Sequence, residues 1–497
     1  MRLIKRKYLA ASVTALILCS HMPAYSNDGD FVFQLRNRIV IQHVDLRGAL
    51  EHNHLTLEDE LKNASNWGLR SSRSATLQSS FLLTSGSYQK TSHLRSFLSG
   101  AINNSASLRS TLHEANAKHH ASRSAIFSLL PTLRLTVEKG RESSINTSNN
   151  LSSMADISQA SIAMDWTVYS SGARWGAIQS ARWDAIAADL QFLATERQLF
   201  LENVAIYLEL STRKKLLREI RNTKNRLQKI RDSVNSQYFA GLTSRTDIAQ
   251  VDAEIAAVQS EIEAAKYGFE NQKVAYRKAT GLEAPNNIAF PKVGHLIPAS
   301  KEDAISRALN RNFTVQAAYA TANSATENSR AVRGQFLPRI SLYSSATVKK
   351  NRNLQNSTNN GTRDWTAGVR LTVPLVDLPS MSSYQESRQQ ALAATYRSRD
   401  INHSLSRDIE VRWLEYHSLK KQRAALGKQE EAVKNALVGL RKELSAGLRP
   451  ASDILREEIE LTNVKVNKIN IELRQAIIAY RMAAEFSDLS LSELAPI

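Results

Sequence analysis

The sequence predicts a mainly α-helical chain of long coiled-coil hairpins, with four β-strands that join a membrane β-barrel. Three observations predict it. The chain repeats its landmarks at a nearly constant interval of just over two hundred residues. Each repeat holds a very long stretch almost free of helix breakers. Each also holds two short segments in which apolar and polar residues alternate.

The N-terminus reads as an export signal over 1–26. Arg2, Lys5, Arg6 and Lys7 form a basic start, "YLAASVTALILC" is the apolar run, and Ala24-Tyr25-Ser26 resembles a cleavage site. The run is too short to span a bilayer as a mature helix, and no later window holds eighteen consecutive apolar residues. Cys19 is the only cysteine and lies within this signal, so disulfides and cysteine–metal sites are excluded from the mature chain. Leu18 precedes it where a lipidation motif wants a small residue. Residues 27–94 are Ser-rich and weakly patterned, which predicts a disordered or loosely structured extension.

The two repeats are placed at 95–293 and 303–490, with a linker over 294–302 and a tail over 491–497. "AINNSASLR" (101–109) parallels "ALNRNFTVQ" (308–316), and "SLLPTLRL" (128–135) parallels "QFLPRISL" (335–342). Pro131 and Pro338 stand 338 − 131 = 207 residues apart, and Gly241 and Gly447 stand 447 − 241 = 206 apart. The join, "GLEAPNNIAFPKVGHLIPAS" (281–300), is rich in proline.

Within each repeat the order is helix, two strands, long helix, sharp turn, return helix. From Ala173 to Gln237 there is almost no breaker, which predicts a helix approaching ~100 Å. After the turn, Ile248, Val251, Ile255, Val258, Ile262, Ala265 and Phe269 alternate steps of three and four. Leu455, Ile459, Thr462, Val466, Ile469, Leu473 and Ala476 do the same in the second repeat. Val433, Leu437, Leu440 and Leu444 mark the helix that precedes its turn. This is coiled-coil spacing.

The strand segments alternate Leu133, Leu135 and Val137; Ile162, Met164, Trp166 and Val168; Ile340, Leu342, Ala346 and Val348; and Val369, Leu371, Val373 and Leu375. Taken singly, each fits an ordinary soluble sheet. Their lengths and their polar alternates also fit a barrel that is apolar towards lipid and polar towards a lumen. Long Asn/Ser-rich loops are expected over 140–158 and 351–364, at the rim away from the helices. Four strands leave two open edges, which lipid does not tolerate, so closure must occur between subunits. Symmetry favours a closed ring without fixing its copy number, and three copies would give twelve strands.

The duplicated helix–strand–strand–helix–turn–helix unit, its "LLP" and "FLP" strand entries, "VPL" before the second long helix and the paired Ala-Gly-Leu…Asp-Ile turns resemble the TolC family of outer-membrane efflux and secretion ducts. The resemblance covers about 95–490. It implies a homotrimer with a twelve-stranded barrel in the outer membrane and an α-helical tunnel across the periplasm. It also implies a periplasmic adaptor and an inner-membrane transporter, ATP-driven or proton-driven, as partners in drug efflux or type I protein secretion. Carried over, Ala240, Gly241, Leu242, Ala446, Gly447 and Leu448 are adaptor-docking tips. Arg449 matches a gating arginine, Asp247 its partner between protomers, and Asp453 the first of two aspartate rings at the tunnel entrance. The chain departs from the family at Arg456, where a second aspartate is expected, and at Leu444, where a tyrosine is expected.

Other classes find no support. The net charge of +18 suggests nucleic acid, but no binding motif accompanies it and solvated helix faces are the simpler account. His119 and His120 point apart on a helix and read as solvated, as do Glu457 and Glu458. No phosphate loop or nucleophile elbow occurs, so neither a cofactor nor enzyme activity is expected. The alternative of a different class is an exported coiled-coil adaptor or scaffold with a soluble sheet domain.

Overall fold

A computed structural model describes residues 93–146, 151–285, 288–353, 359–446 and 448–486. The predictions for the signal, for Cys19, for the tail, for Gly447 and for all but the end of the 27–94 extension lie outside these residues.

The described elements are α1 (His93–Asn104), α2 (Ala106–Phe127), β1 (Thr132–Asn146), β2 (Leu151–Tyr169), α3 (Ala173–Phe239), α4 (Arg245–Thr280), α5 (Lys301–Arg311), α6 (Phe313–Gln335), β3 (Arg339–Asn353), β4 (Asn359–Thr372), α7 (Leu378–Ser445) and α8 (Ala451–Glu485). The last two residues of the supposed extension thus begin α1, and Leu94 is buried there. The same order occurs twice, down to the break between the first two helices. Ser105 caps α2 by accepting from Leu108 N at 3.2 Å, and Asn312 caps α6 by accepting from Val315 N at 3.0 Å.

The long helices α3 and α7 run 67 and 68 residues, ~100 Å each. No isolated helix of this composition would hold such a length; packing along neighbours does so. In their distal halves α3, α4, α7 and α8 share one core. It contains Leu227, Ile230 and Val234 of α3, Val251, Val258 and Ile262 of α4, Leu437 and Leu444 of α7, and Ile454, Leu455 and Leu461 of α8. The predicted positions on α4 and α7 lie in or against this seam. On α8 Leu455 does so, but Ile459, Val466 and Ile469 are only half-buried and lie outside it, because Ile454, Leu461 and Val464 take the buried stripe, and Leu473 and Ala476 belong to the next cluster. Nearer the sheet the neighbours change: α3 packs against α2 and α6, and α7 packs against α6. There α3 and α6 touch backbone to backbone. A Cβ on Gly176 would stand 2.6 Å from Ala331 N, and one on Gly334 2.5 Å from Ala173 N. Between these zones a third cluster joins α1, α3, α4 and α8 around Phe97, Tyr207 and Tyr480. Ile288 of the join is part of that cluster, and Phe290, Val293 and Leu296 pack against it. The proline-rich join is irregular but packed.

The strands form one antiparallel sheet in the order β1-β2-β3-β4. They are longer than predicted, at 15, 19, 15 and 14 residues. The supposed loops over 140–158 and 351–364 are therefore largely strand. Their Ser, Thr and Asn residues continue the ladder, for example Arg141 opposite Asp156 and Asn351 opposite Asn360. At its other end β4 stops at Thr372, before Val373 and Leu375, because Pro374 has no N–H for the ladder.

Register sorts the side chains onto two faces. Leu133, Leu135 and Val137 align with Met164, Ile162 and Ala160 on β2. On β3, Leu342, Ala346 and Val348 follow, with Val369 and Trp365 on β4. Leu133, Val137, Trp365 and Val369 are about two-thirds exposed or more. Arg134, Glu138, Asp165, Asp364 and Arg370 occupy the opposite face.

Two readings of single residues change. Glu458 is not on a solvated face but fully buried, because it sits on the same helical stripe as Leu455 and Thr462. His119 is paired through Nε2 with Asp189 of α3 at 2.9 Å.

Candidate functional site: the hairpin tips and the sheet

Each long helix ends in a sharp reversal, and the two reversals share a geometry. At the first, Ala240 ends the helix with φ −84° and Gly241 takes φ +77°, a left-handed conformation that suits glycine. Gly241 N then donates to Tyr238 O and Leu242 N to Gln237 O, both at 2.9 Å, so the last carbonyls of α3 are satisfied. At the second, Ala446 holds φ −86° and Leu448 N donates to Glu443 O at 2.9 Å, the same closing bond. The tips are neighbours: Gln237 Nε2 donates to Leu444 O at 2.5 Å.

Apolar side chains stand in solvent at both tips. Phe239 is 79% exposed, Leu242 63% and Leu448 75%, while Ala240 and Ala446 are exposed beside them. Leu444 is different. Its side chain is buried in the four-helix core, so it packs rather than lining an opening.

The charges divide unequally. Asp247 is the third helical residue of α4 and closes a capping box with Ser244. Its Oδ2 accepts from Thr243 Oγ1 at 2.6 Å, Ser244 Oγ at 2.8 Å and Ser244 N at 3.0 Å. The Thr243 hydroxyl first, then the Ser244 groups, hold this carboxyl below the usual carboxylate range. The equivalent helix at the second tip is capped by Pro450, which offers no side-chain acceptor. Asp453 there faces Arg449 at 3.4 Å and Arg456 at 3.8 Å, and Arg449 also meets Glu443 at 3.1 Å. Four exposed or half-exposed charges thus form one neutral string. The sequence reading missed Gln237 and Glu443. Ser244-x-x-Asp247 was a legible capping signal, whereas the Glu443–Arg449 contact depends on how the turn brings residues six apart together.

Behind the tips a buried ionic cluster clamps three helices. Glu458 of α8 accepts from Arg226 Nε of α3 at 2.7 Å and pairs with Arg441 of α7. Arg226 also meets Glu219 at 3.2 Å, and Lys465 meets the same Glu219 at 2.8 Å. Further along, Glu430 of α7 accepts from Lys434 at 2.7 Å and from Lys468 of α8 at 2.6 Å. Those two ammonium groups pull its carboxyl down to about 2.

Among the described residues no group of three or more His, Cys, Asp or Glu side chains is placed to hold a metal ion. No described helix is long and apolar enough to cross a membrane.

The family model for "Outer membrane efflux protein" matches residues 97–282 and 304–484. The chain belongs to the outer membrane efflux protein family. Its relatives include the outer membrane protein TolC of Vibrio cholerae serotype O1, 24% identical over 395 residues that cover 76% of this chain and 88% of that one. The outer membrane efflux protein BepC of Brucella suis biovar 1 is 22% identical over 316 residues, covering 61% and 67%. Among solved structures, the outer-membrane channel OprN shares the fold at a TM-score of 0.69, with 15% identity over 79% of this chain and 89% of that one. The efflux protein is accordingly a TolC-type outer-membrane channel. The soluble adaptor considered from sequence is set aside.

Proposed function

We propose that three copies of this efflux protein close a twelve-stranded barrel over an α-helical tunnel, as the passive exit duct of a tripartite export system. The open sheet carries this reading. Among the described residues β1 and β4 each keep one unpaired edge, and the face they border is an exposed apolar row. In hydrocarbon an unpaired strand edge costs several kcal/mol per backbone group, so the edges must pair between copies. The two repeats, 95–293 and 303–490, then supply equivalent wall segments. Because the only native cysteine is Cys19 in the signal, paired cysteines introduced on β1 and β4 test closure directly. Oxidised outer-membrane fractions are expected to give a ladder ending at three chains. A ladder that ends at two, or that extends beyond three, overturns the trimer.

The tips take the partner-facing roles. The exposed Phe239, Leu242 and Leu448, with the backbone at Ala240, Gly241 and Ala446, form the surface on which a periplasmic adaptor docks. That adaptor links the duct to an inner-membrane transporter, which supplies the energy. The transporter is of the ATP-driven protein-secretion kind or the proton-driven drug-efflux kind. A deletion strain assayed for both secreted protein and drug susceptibility separates them.

The charged string at the second tip sets the entrance. With Asp453 flanked by Arg449 and Arg456, the constriction carries opposed charges where two acidic rings would favour cations. Asp247 keeps its cap through Oδ2, and a pairing with Arg449 of a neighbouring copy uses Oδ1. Single-channel recordings are expected to show weak ion selectivity that turns cationic in Arg456→Asp. Strong cation selectivity in the unaltered channel, unchanged by that substitution, overturns the charge assignment.

A further inference from the structure

The two faces of the sheet differ in how their charges balance. On the face opposite the apolar row, the described side chains include Arg134, Arg339, Lys349 and Arg370 against Glu138, Glu142, Asp165 and Asp364. Four cations meet four acids, as a water-filled interior tolerates. The apolar face is different. Its apolar rows run along β3 from Ile340 to Val348, about 27 Å along the strand and about 20 Å in height at a barrel tilt. From the last of these rows outwards, towards the hairpin rim, the same face carries Arg363, Lys139, Lys350 and Arg141, with Asp156 as the one described acid.

Asp156 is taken by Arg141 at 2.9 Å. Lys139, Lys350 and Arg363 have no ion pair among the described residues and are exposed. Lys139 and Lys350 both lie opposite Ser158, on either side of β2, so they stand two strand spacings apart, about 10 Å. Arg363 lies opposite Val348, in the last apolar row. The cations therefore form an arc immediately above the apolar band, on the side that meets lipid and at the rim away from the helices. A cation at that height sits at headgroup level, within reach of lipid phosphates, and attraction to an anionic surface contributes about 1 kcal/mol per Lys or Arg there.

We infer that this arc binds the phosphate groups of anionic lipid headgroups in the outer leaflet. The inference rests on the barrel reading, which sets the apolar face towards lipid. Phosphate suits the residues present: lysines meet it as point charges and Arg363 adds a guanidinium fork. The neutral inner face excludes a simple excess of positive charge over the whole sheet. Three copies in a closed ring repeat the arc around the barrel.

The test uses full-length protein in nanodiscs of phosphatidylcholine doped with phosphatidylglycerol or with a phosphorylated glycolipid. The anionic lipid retained per protomer is counted after mild detergent extraction. The unaltered protein is expected to retain anionic lipid over phosphatidylcholine. Lys139→Gln with Lys350→Gln is expected to lose about fivefold in retention per cation removed. Arg134→Gln with Lys349→Gln removes the same charge from the inner face and is expected to retain lipid as the unaltered chain does. Equal losses in the two pairs overturn the inference, as does insertion without enrichment. Displacement of the lipid by inorganic phosphate reassigns the arc to a free anion and overturns the lipid assignment. A chain that does not enter the disc overturns the barrel reading and this inference together.

Discussion

Glu458 offers the sharpest test of how the distal helices are held. Its carboxylate is fully buried and joins Arg226 of α3 to Arg441 of α7. Removing one partner of a buried pair costs about 3–5 kcal/mol, because the other charge is left without compensation. Arg226 is 21% exposed and keeps Glu219 at 3.2 Å and Thr223 at 3.0 Å, so Glu458→Met falls at the lower end, about 3 kcal/mol. Arg441 is 51% exposed and can turn to water, so Arg441→Ala costs at most about 1 kcal/mol. Arg226→Met is as costly as Glu458→Met, since it leaves the buried acid with Arg441 alone. The double variant Arg226→Met with Glu458→Met recovers most of the loss, because Glu219 retains Lys465 at 2.8 Å. The measurement is the guanidinium unfolding midpoint of the helical circular-dichroism signal for the four variants. If the two methionine substitutions simply add, or if Arg441→Ala costs as much as Glu458→Met, the clamp as described here is refuted.

Gly334→Ala places a methyl 2.5 Å from the backbone of Ala173 and forces α3 and α6 apart; a loss of about 1–3 kcal/mol is expected in the same unfolding assay, while Gly427→Ala, in the interior of α7 with open space around it, is expected to gain about 0.5–1 kcal/mol from helix propensity. Gly241→Val places a β-branched residue at φ +77° and is expected to cost about 1–2 kcal/mol, read as faster proteolysis between α3 and α4. The pH profile follows from Glu430. Its carboxyl titrates near 2 when folded and near 4.5 when unfolded, so its contribution is present above about 4.5 and is lost as pH falls towards 2. Asp247, also depressed, adds in the same direction. Melting temperature is expected to drop across that window, and Glu430→Gln is expected to flatten the drop.

The helices were legible because their signal is local and redundant. Val251, Val258, Val433 and Leu437 mark the buried seam at coiled-coil spacing, and a run without breakers leaves few alternatives. Strand length was not legible. The residues that extend β1–β4 into the rim are Ser, Asn, Thr and charged, and what holds them extended is the ladder to the neighbouring strand. That pairing is set by hydrogen bonds across the sheet, which composition along one strand does not encode. Glu458 is an intermediate case. Its place three residues after Leu455 and four before Thr462 put it on the buried stripe, but its partners lie 232 and 17 residues away in sequence.

The tips show most clearly how a small difference in sequence redirects equivalent geometry. Both turns end their helix with an alanine and close it with the same bond from the leucine N–H. Both return helices carry an aspartate at the third position. In the first, Ser244 and Thr243 surround that aspartate with donors, and its Oδ2 is held within the cap. In the second, Pro450 stands where Ser244 stood and supplies neither a hydroxyl nor an N–H. The helix still starts, because proline presets its backbone there, but the Asp453 carboxylate has no cap to complete. Arg449 and Arg456 take it up instead. Pro450→Ser is therefore expected to draw Asp453 into a capping box and loosen its hold on Arg449. The readout is slower hydrogen exchange at the Asp453 amide, which then donates into the new cap. An unchanged Asp453 would mean that the arginines, and not the missing cap, determine where that carboxylate points.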